Sequence, residues 1–325
     1  MTAQVLEFLR EQEYISGRVL AQKLGISQVA VWKQIRRLKK IGYEIIADPK
    51  GGYCLVSHPD LLIPQEIQKG LSTAYLGKKI FYFPALESTN RFAKEKALNR
   101  GKGVNEGTLV IAEQQSAGRG RLGRKWFSPA GGIWLSLILY PELSPSYLPR
   151  ITLMTAVAAV KAINKCTPIK ALIKWPNDIL VQEKKVGGIL TEMSVELDII
   201  NWVIVGIGLN INIDYLAFPE DLREKTTSLK EVLGRKVSRV KLVQVFLQEF
   251  EEYYEKLKRR EFSSILEEWK AYSCTLGKRV AIDIGEGTLR GIAVGINQEG
   301  ALILKKEDGE LAEVISGTIK LGRKD

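Results

Sequence analysis

The chain has 325 residues, with 48 Lys or Arg against 37 Asp or Glu, so its formal net charge at pH 7 is +11. At 45% hydrophobic and 26% charged residues, the composition excludes an intrinsically disordered chain and provides apolar mass for two or three domains. No apolar run reaches the roughly 18 residues of a membrane span, and no signal peptide is visible, so we expect a soluble cytoplasmic protein without membrane partners. The only histidine is His58, and the three cysteines are widely spaced, which argues against a multi-histidine metal centre and a disulfide framework.

Residues 1–60 have the pattern of a winged helix-turn-helix. Ser16 can cap a helix over Gly17–Leu24, and a second helix is predicted over residues 28–40. Residues 43–47 and 53–56 then read as the two strands of a β-hairpin around a Pro/Gly turn at 48–52, which would be the wing.

The second predicted helix would bury Val31, Ile35 and Leu38 and expose a basic face. Between residues 17 and 40 there are seven basic side chains and no acidic one. The helix is therefore predicted to lie in a DNA major groove, with its basic face on phosphates and its N-terminal residues near base edges. The predicted DNA contacts are Ser27, Gln28, Lys33, Arg36 and Arg37. The alternative, a solvated helical pair that binds a protein, is less favoured because acidic residues are missing and a wing follows.

Residues 61–272 alternate β-rich and helical runs, as in an α+β domain. Strands are predicted at 80–83, 108–113, 133–139, 172–175, 186–193 and 202–211. Helices are predicted at 90–99, 149–164 and 240–257. The last helix carries an apolar stripe, interpreted as core packing, at Val243, Phe246, Phe250, Tyr253 and Leu257.

Residues 273–325 contain five short β segments punctuated by glycine. They are predicted at 279–284, 288–295, 301–305, 311–314 and 318–321. This pattern predicts a small SH3-like β-barrel.

The most unusual stretch is residues 118–126, where four cations and three glycines occur within nine residues between two predicted strands. Glycines let the backbone approach an anion, and guanidinium groups bind phosphate or carboxylate bidentately. The stretch therefore predicts an anion-binding lid; the alternative is a flexible RG-type tract that binds nucleic acid loosely. It matches neither a Walker A loop nor a Rossmann fingerprint.

Other polar motifs allow two interpretations each. The 174–178 segment KWPND is either an Asx-stabilised hairpin turn or a ligand site, and Lys185 is predicted in the turn that follows. The alternating glycines of 206–210 either relieve packing or admit a ligand. The 87–90 segment ESTN is a helix cap first and a ligand site second, and Gln115 could serve either role.

Together these motifs resemble those of biotin protein ligases. ESTN (87–90), EQQSAGRGRLGRKWFSP (113–129), KWPND (174–178), KKVGGIL (184–190) and VGIGLNIN (205–212) occur in the family's order. With the winged helix in front and the barrel behind, the whole chain resembles the bifunctional type, a biotin–[acetyl-CoA-carboxylase] ligase that also represses the biotin operon. Position 122 is Leu where some members carry Arg, so the loop has one cation fewer.

The resemblance implies a central mixed-sheet catalytic domain of the biotin/lipoate ligase type, with domains at 1–60, 61–272 and 273–325. It implies biotin and ATP as substrates, Mg²⁺, and biotinyl-5′-AMP as both intermediate and corepressor. The implied partners are a biotin carboxyl carrier protein, operator DNA and a second copy of the chain, forming a homodimer when the adenylate is bound. Neither reaction step needs an enzymic nucleophile, so a single histidine is no obstacle.

Carried over by position, the resemblance assigns site residues in groups. Catalytic roles fall to Lys185, Arg119 and Arg121. Biotin contacts fall to Ser88, Thr89, Asn90, Gln115, Arg119, Gly120, Arg121, Lys185, Gly188, Gly206 and Gly208. ATP or adenylate contacts fall to Arg121, Arg124, Trp126, Asn177, Lys185 and Asn210, and Asp178 is the magnesium-associated carboxylate. No nucleotide contact is assigned within 273–325. The alternatives are a lipoate-type acyl ligase and a ligand-responsive repressor without catalysis.

Overall fold

A computed structural model describes residues 2–48, 51–57, 59–100, 103–285 and 287–321 of the chain. Pro49 and Lys50 of the predicted wing turn, and His58 of the first segment, lie outside these residues. The chain divides into two compact units, Met1–Leu61 and Leu62–Asp325. Over the described ranges, no helix is both long enough and apolar enough to cross a membrane.

The first unit contains the predicted helix-turn-helix. Its helices are α1 (Thr2–Glu11), α2 (Gly17–Leu24) and α3 (Gln28–Ile41). The hydroxyl of Ser16 accepts from the N–H of Val19 at 3.2 Å and caps α2, as predicted. Gly25 ends α2 with a φ of 65°, a conformation that glycine adopts without steric cost. Helix α1 is not among the predicted elements, although Val5, Leu6 and Leu9 are buried at helical spacing.

A two-stranded wing follows α3. Strands β1 (Glu44–Asp48) and β2 (Gly52–Ser57) pair antiparallel, each within one residue of the predicted bounds. Ile15 and Tyr53 exchange both backbone hydrogen bonds, at 2.9 and 2.8 Å. The wing is thereby fastened to the turn between α1 and α2, and the winged-helix prediction is confirmed.

A seven-stranded mixed sheet forms the centre of the second unit. In chain order its strands are β3 (Ile80–Phe83), β4 (Thr108–Ala112), β5 (Ile133–Leu139), β6 (Leu172–Lys174), β7 (Asp178–Val181), β8 (Lys184–Glu196) and β9 (Ile199–Leu209). Their spatial order is β3-β4-β5-β9-β8-β7-β6. Strands β3 and β4 are parallel and the other neighbours are antiparallel. Strand β8 is longer at both ends than predicted.

Helices cover both faces of this sheet. They are α4 (Pro64–Gln68), α5 (Thr89–Ala97), α6 (Leu148–Cys166), α7 (Glu220–Arg223), α8 (Leu229–Leu233), α9 (Arg239–Lys258) and α10 (Phe262–Tyr272). Successive strand residues point to opposite faces. Leu109 and Ile111 join the large core with α6 and α9, whereas Val110 packs with Ala93 and Ala97 of α5. The apolar stripe predicted on α9 lies in the large core, with its side chains at most 1% exposed.

A five-stranded antiparallel sheet ends the chain. It contains β10 (Arg279–Asp283), β11 (Thr288–Ile296), β12 (Leu302–Lys305), β13 (Leu311–Val314) and β14 (Thr318–Leu321), in the order β13-β12-β11-β10-β14. The edge strands β13 and β14 are joined by residues 315–317 alone. A flat sheet would place them roughly 19 Å apart, more than the about 14 Å that this connection spans. The sheet therefore curls towards a barrel, in agreement with the predicted SH3-like domain.

Candidate active site

A cavity of about 310 Å³ lies at the central sheet. Every residue predicted to contact biotin, the nucleotide or magnesium lines it: Ser88, Thr89, Asn90, Gln115, Arg119, Gly120, Arg121, Arg124, Trp126, Asn177, Asp178, Lys185, Gly188, Gly206, Gly208 and Asn210. The fold therefore brings the separate sequence motifs to one place. The chemistry of that place follows from how each motif is held.

The N-terminus of α5 supplies a polar wall. Ser88 caps the helix, accepting from the N–H of Arg91 at 3.4 Å. The Gln115 Oε1 atom accepts from both the N–H and the hydroxyl of Thr89, at 2.8 and 3.1 Å. The Ser136 hydroxyl oxygen lies 2.8 Å from Thr89 Oγ1. These side chains form one connected network, so their orientation is fixed by the protein itself.

Both ends of the Asn90 amide are occupied in this network. Its Oδ1 accepts from Ser136 Oγ at 2.6 Å, and its Nδ2 donates to Glu192 Oε2 at 2.8 Å. Glu192 also forms an ion pair with Lys94. Ser136, Glu192 and Lys94 are not among the predicted site residues. The signal for Ser136 is a lone hydroxyl within the otherwise apolar strand IWLSLIL, a strand that is buried throughout.

Glycines on two adjacent strands leave room that side chains would fill. A Cβ atom on Gly206 would lie 2.1 Å from Asn90 Oδ1, and one on Gly208 would lie 2.5 Å from Trp126 Nε1. On β8, a Cβ atom on Gly188 would lie 3.3 Å from the Trp126 ring. The Asn90 amide and the Trp126 indole therefore take up this room and pack directly against the strand backbone, so the glycines shape the cavity through these two side chains. The indole Nε1 is buried without a hydrogen-bond partner among the described residues, so it can donate to a ligand.

Lys185 requires a correction, because the sequence predicted it in a turn. It lies in strand β8, and the turn is formed by Gln182 and Glu183, whose φ angles are 49° and 64°. The Lys185 Nζ atom lies 2.5 Å from Asp178 Oδ1 and 4.9 Å from the Trp126 ring centroid. The ammonium group therefore sits between a carboxylate and an aromatic face inside the cavity.

A β-bulge sets the position of this lysine. Leu180 pairs with Lys185, but Ile179 pairs with Gly187, so Val186 is an extra residue in β8. Away from β7, the backbone of Lys185 bonds to residues 225–227, donating to Lys225 O at 2.8 Å and accepting from Thr227 N at 3.0 Å.

Residues 118–126, called the Gly/Arg loop below, form a compact turn. Gly120 N donates to Arg124 O at 2.7 Å, and Trp126 N donates to Gly118 O at 2.9 Å. A 3₁₀ turn over Arg121–Gly123 lies between them, with Leu122 at a φ of 56° and 75% exposed. This geometry favours the lid over the RG-type tract.

Arg121 connects the Gly/Arg loop to the 174–178 segment and to the C-terminal sheet. Its Nη1 atom donates to Asn177 Oδ1 at 3.2 Å and to Gly317 O at 3.4 Å. Burial lowers the pKa of the Arg121 guanidinium, while neighbouring Asp178 opposes that change. Because arginine still remains protonated, the cavity holds a weakly hydrated cation that suits a phosphate or carboxylate.

The C-terminal sheet contributes a wall that the sequence did not predict. Gly317, Thr318 and Ile319 line the cavity. Arg124 Nη2 donates to Thr318 Oγ1 at 3.0 Å, which ties the loop to the start of β14. The available signal is a glycine directly before the last strand, where a Cβ atom would lie 2.6 Å from Ile282 Cγ2.

A buried ion pair fastens the base of the Gly/Arg loop. Glu113, just before the loop, accepts from Arg239 Nη1 at 2.8 Å and from Leu62 N at 2.7 Å. The same Arg239 nitrogen donates at 2.9 Å to the carbonyl of Gly132, just after the loop. Both ends of the loop are thus held by one guanidinium that is itself 2% exposed.

Asn210 is 2% exposed and donates to Thr227 O at 3.1 Å, so it supports the segment that bonds to Lys185. The described residues contain no group of three His, Cys, Asp or Glu side chains that could hold a metal. Magnesium is commonly held by one or two carboxylates together with substrate phosphates. Asp178 is a carboxylate among the residues that line the cavity, so the site is compatible with a cation that arrives with a nucleotide.

In the first unit, the predicted DNA contacts lie at the start and along the exposed face of α3. Gln28, Lys33, Arg36 and Arg37 are exposed, whereas the helix's apolar stripe is buried. Ser27 requires a refinement: its hydroxyl accepts from Ala30 N at 3.1 Å and caps the helix. That hydroxyl is engaged with the helix end itself.

Three family models match the chain. Residues 82–210 match the biotin/lipoate A/B protein ligase family, and residues 2–54 match a helix-turn-helix domain. Residues 275–322 match the biotin protein ligase C-terminal domain. The matches follow one another along the chain without overlap.

Similar proteins span the same arrangement. The bifunctional ligase/repressor BirA of Bacillus subtilis (strain 168) is 41% identical over 311 residues, which is 95% of this chain and 94% of the relative. The corresponding protein of Escherichia coli (strain K12) is 29% identical over 318 residues, covering 98% of this chain and 96% of the relative. A solved structure of the biotin protein ligase from Aquifex aeolicus in complex with biotin and ATP has a TM-score of 0.66 and 33% identity, covering 76% of this chain and 100% of that one.

Proposed function

Because the chain belongs to the family of bifunctional biotin ligases and biotin-operon repressors, we propose how its residues carry out these two activities. The chain is a biotin–[acetyl-CoA-carboxylase] ligase with a DNA-binding repressor domain. The observation that carries our residue assignments is the convergence of all the predicted ligand residues on one cavity.

In the first step, a biotin carboxylate oxygen attacks the α-phosphorus of ATP. The new P–O bond forms as the bond to the β-phosphate oxygen breaks, giving biotinyl-5′-AMP and pyrophosphate. Negative charge accumulates on the phosphate oxygens, so cations placed beforehand lower the barrier. Lys185 and Arg121 fill this role, and Arg119 and Arg124 extend the cationic wall.

Lys185 exchanges its carboxylate partner, Asp178, for a substrate group when substrates bind. Its ammonium is paired with Asp178 at 2.5 Å. A biotin carboxylate or an α-phosphate replaces Asp178 as the partner of Lys185. The released Asp178 carboxylate would hold a Mg²⁺ ion bound with ATP, and that ion would neutralise phosphate charge.

Biotin occupies the glycine-lined part of the cavity. The apolar bicyclic ring lies in the slot beside Gly206, Gly208 and Gly188, whose missing side chains let Asn90 and Trp126 pack against the strands and shape the slot. Its ureido group, which both donates and accepts hydrogen bonds, faces the wall of Thr89 and Gln115. A hydrogen-bonding wall of fixed geometry rejects ligands without the matching groups.

In the second step, the neutral amine of an acceptor lysine attacks the acyl carbon of the adenylate. The C–N bond forms, the bond from the acyl carbon to the AMP oxygen breaks, and the proton that the amine loses passes to solvent as AMP departs. The acceptor is a biotin carboxyl carrier protein. Until it arrives, the Gly/Arg loop excludes water from a hydrolysable mixed anhydride.

The first unit acts as the repressor module. Biotinyl-5′-AMP is the corepressor, and it favours a homodimer that binds an inverted repeat of operator DNA. Joining two winged helices raises the effective concentration at the second half-site, so stabilising the dimer promotes DNA occupancy. The two activities need ATP and operator DNA in the same compartment, which places the protein in the cytoplasm.

Pyrophosphate release with ATP and either biotin or lipoate tests the catalytic assignment. We expect release with biotin, followed by transfer to a purified carboxyl carrier domain. Preference for lipoate would support the lipoate-type alternative, and absence of release with either acid would support a repressor without catalysis.

Titration of operator DNA at several salt concentrations tests the repressor assignment. Biotin plus ATP should strengthen binding. The K33A/R37A variant should reduce the slope of log K against log salt by about 0.9 for each phosphate that is no longer neutralised. Unchanged affinity on adding biotin and ATP would contradict the corepressor role.

A further inference from the structure

The exposed face of α3 is not uniformly basic. Val29 is 63% exposed and Trp32 is 49% exposed, in the half of the helix that begins at Gln28. A basic face that contacts only phosphates gains nothing from two large apolar side chains held in water. Their placement calls for a surface that offers apolar groups as well as charge, and the edges of base pairs in the major groove do so.

Val29 and Arg36 point in almost the same direction. They are seven residues apart, so their directions differ by about 20° on an α-helix. Both lie roughly opposite the buried side chains of Val31, Ile35 and Leu38. Along the helix axis the two positions are separated by about 10.5 Å, close to the rise of three base pairs.

Arg36 is also held in place. Its guanidinium carbon lies 5.2 Å from the ring centroid of Trp32, one helical turn earlier. Long helical side chains lean towards the helix N-terminus, which brings this guanidinium towards Val29. Stacking restricts the rotation of the arginine and reduces the entropy cost of its binding.

We propose that Val29 and Arg36 read bases in the operator half-site. Val29 contacts the methyl group of a thymine, and Arg36 donates two hydrogen bonds to O6 and N7 of a guanine about three base pairs away. Trp32 is a positioning residue that orients the Arg36 guanidinium group by stacking against it. This assignment rests on operator binding by the first unit, and it moves Arg36 from the phosphate contacts to the base contacts.

The test uses the full-length protein with biotin and ATP, and the inverted repeat that it selects from a randomised duplex library. Each thymine is replaced in turn by uracil, which removes the methyl group, and each guanine by 7-deazaguanine, which removes N7. We expect one thymine and one guanine in each half-site to be sensitive, about three base pairs apart. Replacing the sensitive guanine should weaken binding by about 5- to 150-fold.

Protein variants assign each contact. V29A should be insensitive to the critical uracil, and R36A to the critical 7-deazaguanine, because the side chain that reads each base is absent. W32A should reduce guanine discrimination several-fold without changing the salt slope, and W32F should restore part of it. R37A, on the flank of the same helix, is the matched control and should weaken all sequences equally.

The inference is overturned if R36A lowers the salt slope by about one phosphate contact and leaves base preference unchanged. It is also overturned if the wild-type protein tolerates every uracil and every 7-deazaguanine replacement, a measurement that needs no variant to fold. Failure to select any sequence would overturn operator binding itself, and this inference with it.

Discussion

The DNA-reading face and the ligand cavity are built in opposite ways. The face belongs to α3, a helix of 14 residues, and its members follow from helical spacing alone. The cavity takes residues from segments as far apart as 88–90 and 317–319, and strand pairing brings them together. A surface built on one element can be altered one side chain at a time, whereas a cavity built from several elements depends on the contacts that align them.

The largest expected effect separates two neighbouring lysines. K185A should lower adenylate formation by about 100-fold or more, because it removes a cation aimed at developing phosphate charge. K184A, one residue earlier in β8 and also partly exposed, is the matched control and should retain near-normal pyrophosphate release. Equal rates in the two variants would remove Lys185 from the mechanism.

A smaller but still large effect is expected from adding a side chain at Gly208, beside the biotin slot. In G208A the new Cβ atom would lie 2.5 Å from the Trp126 indole, so either the ring moves or the biotin slot narrows. We expect the KM for biotin to rise by about 10- to 100-fold, as overpacking typically costs about 1–3 kcal/mol.

G295A is the control for that experiment. Gly295 also lies in a strand, but its added Cβ atom would meet Ile303 at an ordinary 3.5 Å. Normal biotin affinity in G208A would show that the slot has room to spare.

The base of the Gly/Arg loop gives a third test. E113Q removes the carboxylate from its buried ion pair with Arg239, and breaking a buried pair of this kind typically costs about 3–5 kcal/mol of folding stability. We also expect the KM for biotin to rise several-fold, because the segment before the loop loses its charged bond to Arg239.

E249Q removes another buried carboxylate, one that lies on α9 and pairs with Lys161 and Lys165 of α6 rather than with the loop. It should lower the melting temperature while leaving the KM for biotin unchanged. If both variants raise this KM equally, the Glu113 effect is one of general stability.

The smallest effect should be confined to the DNA-binding unit. S27A removes the N-cap of α3 and should cost about 1 kcal/mol of that unit's stability. Operator binding should weaken modestly, and the rate of biotin transfer to the carrier domain should not change. Calorimetry and the ligation assay on the same preparation check both statements, and a slower ligation would contradict the separation of the two activities.

Sequence reasoning succeeded where the signal is local. The caps at Ser16 and in the 87–90 motif, the stripe of α9 and most strand bounds follow from spacing and capping rules. It failed where local signals are weak. Helix α10 has no side-chain cap at its start, so its apolar residues gave no boundary to recognise. Contacts between distant segments, such as Arg124 with Thr318 and Asn90 with Glu192, have no local signature at all.

The candidate site likewise combines features that the sequence predicts and features that it does not. The resemblance supplied the residues that line the cavity, because motif order and spacing are visible in a sequence. It could not show that Asn90 is already bonded at both ends, or that Lys185 lies in a strand beyond a bulge. Those facts depend on strand register, which tertiary packing fixes.

The β7–β8 hairpin cannot change in length without shifting the pairing of its two strands. Connecting segments usually tolerate changes of length. Here the connection is a turn of only two residues, Gln182 and Glu183, between strands that carry Asp178 and Lys185. Yet deleting Val186 or adding one residue to the Gln182–Glu183 turn would shift β8 against β7 by one position, and successive residues of a strand face opposite sides. A different side chain would then face Asp178. The length of the turn, rather than its composition, therefore keeps Lys185 opposite Asp178.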